Sequence, residues 1–163
     1  MLDAFKLFAR YNRVANERLY EQCGKLDRAE YLRERLGSFG SIHALLNHML
    51  LGDRIWMSRF AGGGKTTPPL NSILFDNFAE LSAARIEQDA AIEAFFENVD
   101  GDFLTRPLSY TNSLGMERTD AAPRAVLHFF NHQTHHRGQV HVMLSQTDVK
   151  PPALDMHRIL NTG

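Results

Sequence analysis

Residues 126–146 read Val126-Leu127-His128-Phe129-Phe130-Asn131-His132-Gln133-Thr134-His135-His136-Arg137-Gly138-Gln139-Val140-His141-Val142-Met143-Leu144-Ser145-Gln146. Val126, Leu127, Phe130, Val140, Met143 and Leu144 recur at the three- and four-residue spacing of an amphipathic helix. Five of the chain's eight histidines fall between His128 and His141. At about 100° per residue, His132 and His136 lie only about 40° apart and share one face. His128 stands one turn earlier, His135 lies off to the side, and His141 points about 180° away from His132. Two neutral imidazoles at i and i+4 give a metal such as zinc, nickel or iron two nitrogen donors, with a third donor needed from another helix. The same spacing also serves histidines that only hydrogen-bond their neighbours on a half-exposed face.

Working outward, Thr119 or Asp120 caps this helix, Pro123 is tolerated in its first turn, and Pro151-Pro152 ends it after about residue 146. Residues 153–160 add a short terminal helix. At the other end of the chain, Phe5, Phe8, Ala9, Tyr11, Ala15, Leu19 and Tyr20 mark a first helix over residues 2 to about 23, stopped by Gly24. Asp27-Arg28-Ala29-Glu30 has the form of a capping box. A second long helix follows the glycine and serine stretch 37–41 and runs through Leu45, Met49 and Trp56 to Phe60, stopping at Gly62-Gly63-Gly64 before Pro68-Pro69. A third, capped by Asp76, runs to about Asp100-Gly101. Residues 104–119 read as an irregular crossover with one short hairpin. The fold class predicted is all-α: a four-helix bundle with a long crossover between helices three and four, as one domain over residues 1–163.

Helix two offers His43 and His48 as the third donor. Five apart, they sit about 140° from each other, so only one faces the core. His48 lies beside the stripe of Leu45, Met49 and Trp56 and is preferred.

The balance of 18 basic against 19 acidic residues, net −1, contains no basic block to neutralise a row of phosphates, so nucleic-acid binding has no electrostatic support. Charges interrupt every apolar stretch well before the ~18 residues of a membrane span, and the N-terminus does not read as a signal peptide. These features predict a cytoplasmic protein. The lone cysteine, Cys23, forms no internal disulfide and reads as structural.

The run Asn131-His132-Gln133-Thr134-His135-His136-Arg137-Gly138-Gln139 resembles the C-terminal signature of the DinB and YfiT-like metalloprotein superfamily. His48-Met49-Leu50-Leu51-Gly52-Asp53-Arg54-Ile55-Trp56 fits that family's first-ligand segment, a histidine followed by mixed residues and a tryptophan on the second helix. The resemblance extends over nearly the whole chain. It implies His48, His132 and His136 as the three metal ligands, a homodimer, and activity as a thiol-dependent transferase or isomerase.

Three neutral histidines leave a bound ion its positive charge and at least one position for water or substrate, the arrangement of catalytic zinc. The expected cofactor is one divalent metal, zinc or nickel ahead of iron or manganese. The expected partners are a small-molecule substrate and a low-molecular-weight thiol. Asp53 and Arg137, which adjoin the ligand segments, are candidate catalytic accessories, and both also suit a structural ion pair. Asn47, Asn131 and Gln139 are candidates for orienting the imidazoles. Trp56, Phe129 and Phe130 read as core or pocket wall, and loops 61–75 and 104–119 as the approach to the site. The competing readings are a non-catalytic metal-binding or stress-response module and a metal-dependent hydrolase.

Overall fold

A computed structural model describes residues 1–63 and 68–160. Gly64 and the rest of segment 64–67 in the 61–75 loop, and residues 161–163, lie outside the described residues. The chain is mostly helical. Its elements are α1 (Leu2–Cys23), α2 (Arg28–Leu32), α3 (Ile42–Phe60), α4 (Phe78–Asn98), α5 (Gly101–Thr105), β1 (Pro107–Thr111), β2 (Glu117–Ala121), α6 (Ala122–Leu144) and α7 (Met156–Ile159). Of the long helices, α1 packs on α4 and α6, and α3 packs on the same two. No helix among the described residues is long and apolar enough to cross a membrane.

Side-chain caps set several helix starts. Asp27 accepts a hydrogen bond from Glu30 N at 2.8 Å, and Ser41 accepts one from Ala44 N at 3.1 Å. The cap of α4 is Asn77 rather than Asp76: its side chain reaches both Ala79 N and Glu80 N. Asp100 does not lie within a continuous third helix. It caps α5 by accepting from Phe103 N, so the crossover begins with a separate helical turn. Thr119 and Asp120 are strand residues of β2, and α6 starts at Ala122 after Ala121, an N-cap residue that makes no side-chain bond. The reason is pairing: β1 and β2 form an antiparallel hairpin in which Asp120 faces Leu108, which commits those residues to extended backbone. Asn112 closes the turn by accepting from Leu114 N and Met116 N, with Gly115 at φ 77° where a side chain would be strained. Gly24 adopts ordinary right-handed φ and ψ; its lack of a side chain gives room to Phe78 instead, whose ring lies 3.0 Å from where a Cβ would stand.

The interior is divided. One apolar cluster gathers Leu19, Leu46, Leu50, Leu81, Val140 and Leu144. The other is aromatic, with Phe5, Phe60, Phe96, Phe103, Phe129 and Phe130. On each long helix the residues between the two clusters are polar and buried: Asn12 and Asn16 on α1, Asp53 on α3, Arg85 and Asp89 on α4, Gln133 and Arg137 on α6. Arg85 bridges Asp53 at 2.6 Å and Asp89 at 2.9 Å. Asn12 and Asn16 donate to Asp89 and accept from Arg137. The formal charges of two aspartates and two arginines cancel. Such a layer contributes little net stability, yet each member strands another if removed.

Candidate metal centre

α3 and α6 pack face to face, and at their contact the imidazoles of His48, His132 and His136 converge. One ring nitrogen from each lies within 4.8 Å of the others. His132 Nε2 stands 3.3 Å from His48 Nε2 and 3.1 Å from His136 Nε2. Two nitrogens each about 2.05 Å from a tetrahedral zinc would stand roughly 3.3 Å apart, so the spacing fits one ion shared by the three rings.

In two of the rings the other nitrogen points the lone pair inward. His48 Nδ1 donates to the carbonyl oxygen of Leu70 at 2.8 Å, and His136 Nδ1 donates to Gln139 Oε1 at 2.8 Å. A carbonyl only accepts, so the proton sits on Nδ1 and each Nε2 keeps its lone pair for a cation. Burial, followed by the mutual repulsion of neighbouring imidazoles, pushes His132 down to about 3. Burial also lowers His136 to about 4 and lowers His48. All three rings are therefore neutral at neutral pH, which is the ligating form.

Several supports of this geometry carry no signature in the sequence. The Leu70 carbonyl is backbone, positioned because Asn47 accepts from Leu74 N and Phe75 N and donates to Phe75 O, tying the loop before α4 to α3. Phe39, between Gly37 and Gly40, stacks on His48 at 3.9 Å between centroids and meets His136 edge-on. Gly52 is the third: a Cβ there would stand 3.0 Å from His132 Cε1. A glycine inside a long helix costs about 1 kcal/mol relative to alanine, and here it is retained because the ligand ring occupies the space. Gly52→Ala is accordingly expected to raise or preserve thermal stability while weakening metal affinity roughly 10- to 100-fold, the usual cost of a misplaced ligand. A competitive chelator titration of both proteins checks this.

The other candidates are distributed as follows. His43 is buried away from the site against Tyr31, with Nδ1 3.2 Å from the hydroxyl. His135 is exposed and contacts Gln139, and His141 lies against Pro152 O on another face of α6. His128 is exposed, its ring 6.0 Å from His132 and 5.2 Å from Trp56. Asn131 is exposed. Asp53 and Arg137 are placed in the buried polar layer: Asp53 is held by Arg85 and Gln133, and Arg137 by Asn12, Asn16 and Thr134. Five residues after His48, Asp53 is about 140° round the helix, and Arg137 is about 100° from His136, which turns both toward α1 and α4. Phe129 and Phe130 are core residues, whereas Trp56 is half-buried and lines a cavity of about 310 Å³ that opens beside His48 and His132. Both expected approach loops contribute to it, through Leu70 from the first and Tyr110, Asn112 and Ser113 from the second.

With this geometry in place, comparison with known proteins is direct: the DinB family matches residues 1–162. The chain belongs to the DinB family. It is 29% identical to Protein DinB of Bacillus subtilis (strain 168) over 153 residues, covering 88% of this chain and 85% of that protein. In this DinB-family chain the buried three-histidine group is what suggests a divalent-metal site.

Proposed function

We propose that this chain is a metal-dependent enzyme, a four-helix bundle of α1, α3, α4 and α6 in which His48, His132 and His136 hold one divalent cation. Zinc or nickel suits three imidazoles best, ahead of iron or manganese. The observation that carries the reading is the convergence of three ring nitrogens, with His132 Nε2 at 3.1 and 3.3 Å from the other two. When bound, the metal supplies a Lewis acid that keeps a small thiol in its thiolate form at neutral pH.

The chain's own residues do the rest. Leu70 O and Gln139 hold two rings in the ligating tautomer, Phe39 covers the His48 face, and the aromatic walls around Trp56 limit water. Cys23 is unsuited as the nucleophile, because burial in the apolar cluster pushes its thiol up to about 12. The thiol therefore comes from outside, as a low-molecular-weight co-substrate attacking an electrophilic small molecule in a transfer or isomerisation. Three donors beside a cavity favour an open catalytic site over a closed structural one, which would have four. Asp53 and Arg137 act in this reading as scaffold for α3 and α6. The family resemblance supports a homodimer.

The test is a panel of glutathione and related thiols with several electrophiles, comparing metal-loaded protein with His132→Ala. Metal-dependent turnover with at least one thiol is expected. Metal-dependent hydrolysis indifferent to thiol would make the protein a hydrolase instead, and no turnover with any thiol would make it a non-catalytic metal-binding module.

A further inference from the structure

The outer face of α6 differs from those of α1 and α4. From Leu127 to Val142 the one charged residue, Arg137, is buried, and the exposed positions hold leucine, valine, glycine, Asn131, Thr134 and two histidines. By contrast α1 exposes Asp3, Arg10, Glu17 and Glu21, and α4 exposes Glu80, Glu87 and Glu97. About four turns of exposed helix without a lysine, arginine, aspartate or glutamate match the charge-depleted centre of a protein interface. Gly138 stands on this face. A Cβ there would meet no described atom within 4 Å, unlike one at Gly52, so no contact among the described residues requires the bare backbone. A glycine in mid-helix costs about 1 kcal/mol, and what it offers here is close approach by a second surface. Alongside lies a cavity of about 260 Å³, floored by Leu45 and Met143 and walled by Phe39, Gly138, Gln139 and Val142. Leu36 stands on its rim with its side chain 100% exposed. The loop that presents Leu36 is braced, because Arg35 donates from its guanidinium to the carbonyl oxygens of Glu30 and Arg33 and from its backbone to that of Gly40. A fixed apolar knob and an apolar hole thus share one face.

We infer that two copies of this chain pair through the outer face of α6, with Leu36 of each seated in the cavity of the other. A two-fold contact needs its knob and its hole on the same surface, since every contact made once is made again by symmetry. An uncharged stripe suits a second copy of itself because the pairing brings no like charges together. Along the helix axis the face extends about 24 Å, and with the Leu36 loop beside it this is the scale of the roughly 800 Å² per partner that a stable interface buries. The inference rests on the homodimer reading above and adds to it the face and the seated residue. It also sets the partner's Leu36 against Phe39 and Gln139, the side chains that hold the rings of His48 and His136, so each copy completes a wall beside the other's metal centre.

Sedimentation velocity over a dilution series of metal-free protein tests this. The natural chain is expected to be a dimer at micromolar concentration. Leu36→Glu and Val142→Arg should each weaken the dimer by roughly a hundredfold or more, because a tenfold loss at one contact is taken twice in a two-fold pair. Ile86→Glu charges an exposed apolar position on α4 and should leave the dimer unchanged. All three side chains are exposed, so each variant should melt with the natural chain, which is measured alongside. The deciding arm mixes the Leu36→Glu and Val142→Arg chains. In the mixed pair one contact is the natural one, and the other sets the new carboxylate against the new guanidinium. Association should recover at least about tenfold over either variant alone. A dimer unweakened in both variants, or weakened as much by Ile86→Glu, overturns the face and leaves the homodimer reading standing. Variants that dissociate without recovering on mixing overturn the seating of Leu36 in the partner's cavity. A natural chain that stays monomeric throughout overturns the inference and the homodimer reading together.

Discussion

His132→Ala is expected to abolish metal binding at micromolar concentrations, with His136→Ala doing the same and His141→Ala leaving the affinity unchanged. His132 is the ring common to both short nitrogen pairs, so its removal leaves His48 and His136 without their shared neighbour. Loss of one of three donors costs on the order of several kcal/mol of binding free energy, which is a hundredfold or more in affinity. His141 is nine residues on, bonded to Pro152 O, and serves as the control for any general effect of deleting a histidine from α6. His135 lies between these cases, since its ring is 4.9 Å from His136 and its Nε2 meets Gln139, the residue that orients His136. Equilibrium competition against a chelator measures all four. Loss of metal in the His141 variant with retention in the His136 variant would mean that the centre is elsewhere.

The second large effect concerns stability rather than binding. Asp53→Ala removes the carboxylate that faces Arg85 at 2.6 Å and accepts from Gln133, leaving a buried guanidinium half-paired and a buried amide without that acceptor. Breaking a buried ion pair by deleting one partner costs about 3–5 kcal/mol. For a chain of this length that lowers the melting temperature by roughly 10 °C or more. Glu21→Ala, which breaks the exposed Lys25 pair, should change stability by less than about 1 kcal/mol. Urea unfolding at constant slope makes the comparison. An Asp53→Ala protein as stable as the natural one but without thiol turnover would instead put this carboxylate in the chemistry.

What could be read from the sequence divides along a physical line. Helical periodicity is a local property, so the long helices and the shared face of His132 and His136 were legible, as was the preference for His48 over His43 from its place beside Leu45 and Met49. The ends of elements were less so. Asp76 and Asn77 are adjacent cap-formers, and which one is used depends on where the chain leaves the loop held by Asn47. Thr119 and Asp120 look like caps until β1 provides pairing partners ten and twelve residues away, a non-local contact that periodicity does not register. The polar layer was only partly legible for the same reason: Asp53 and Arg137 suit a structural ion pair in the sequence, but their partners Arg85, Asn12 and Asn16 are set by the packing of four helices, which periodicity does not register. At the site itself, Leu70 contributes a backbone oxygen and Gly52 an absence of side chain, neither of which residue chemistry announces.

The most direct test of the central claim is the metal content of protein made without an affinity tag. After reconstitution with zinc or nickel and removal of loosely held ions, elemental analysis should give about one ion per chain, because three imidazoles from α3 and α6 meet at one point. A content that stays well below one per chain after reconstitution, in protein that is folded, would contradict the account.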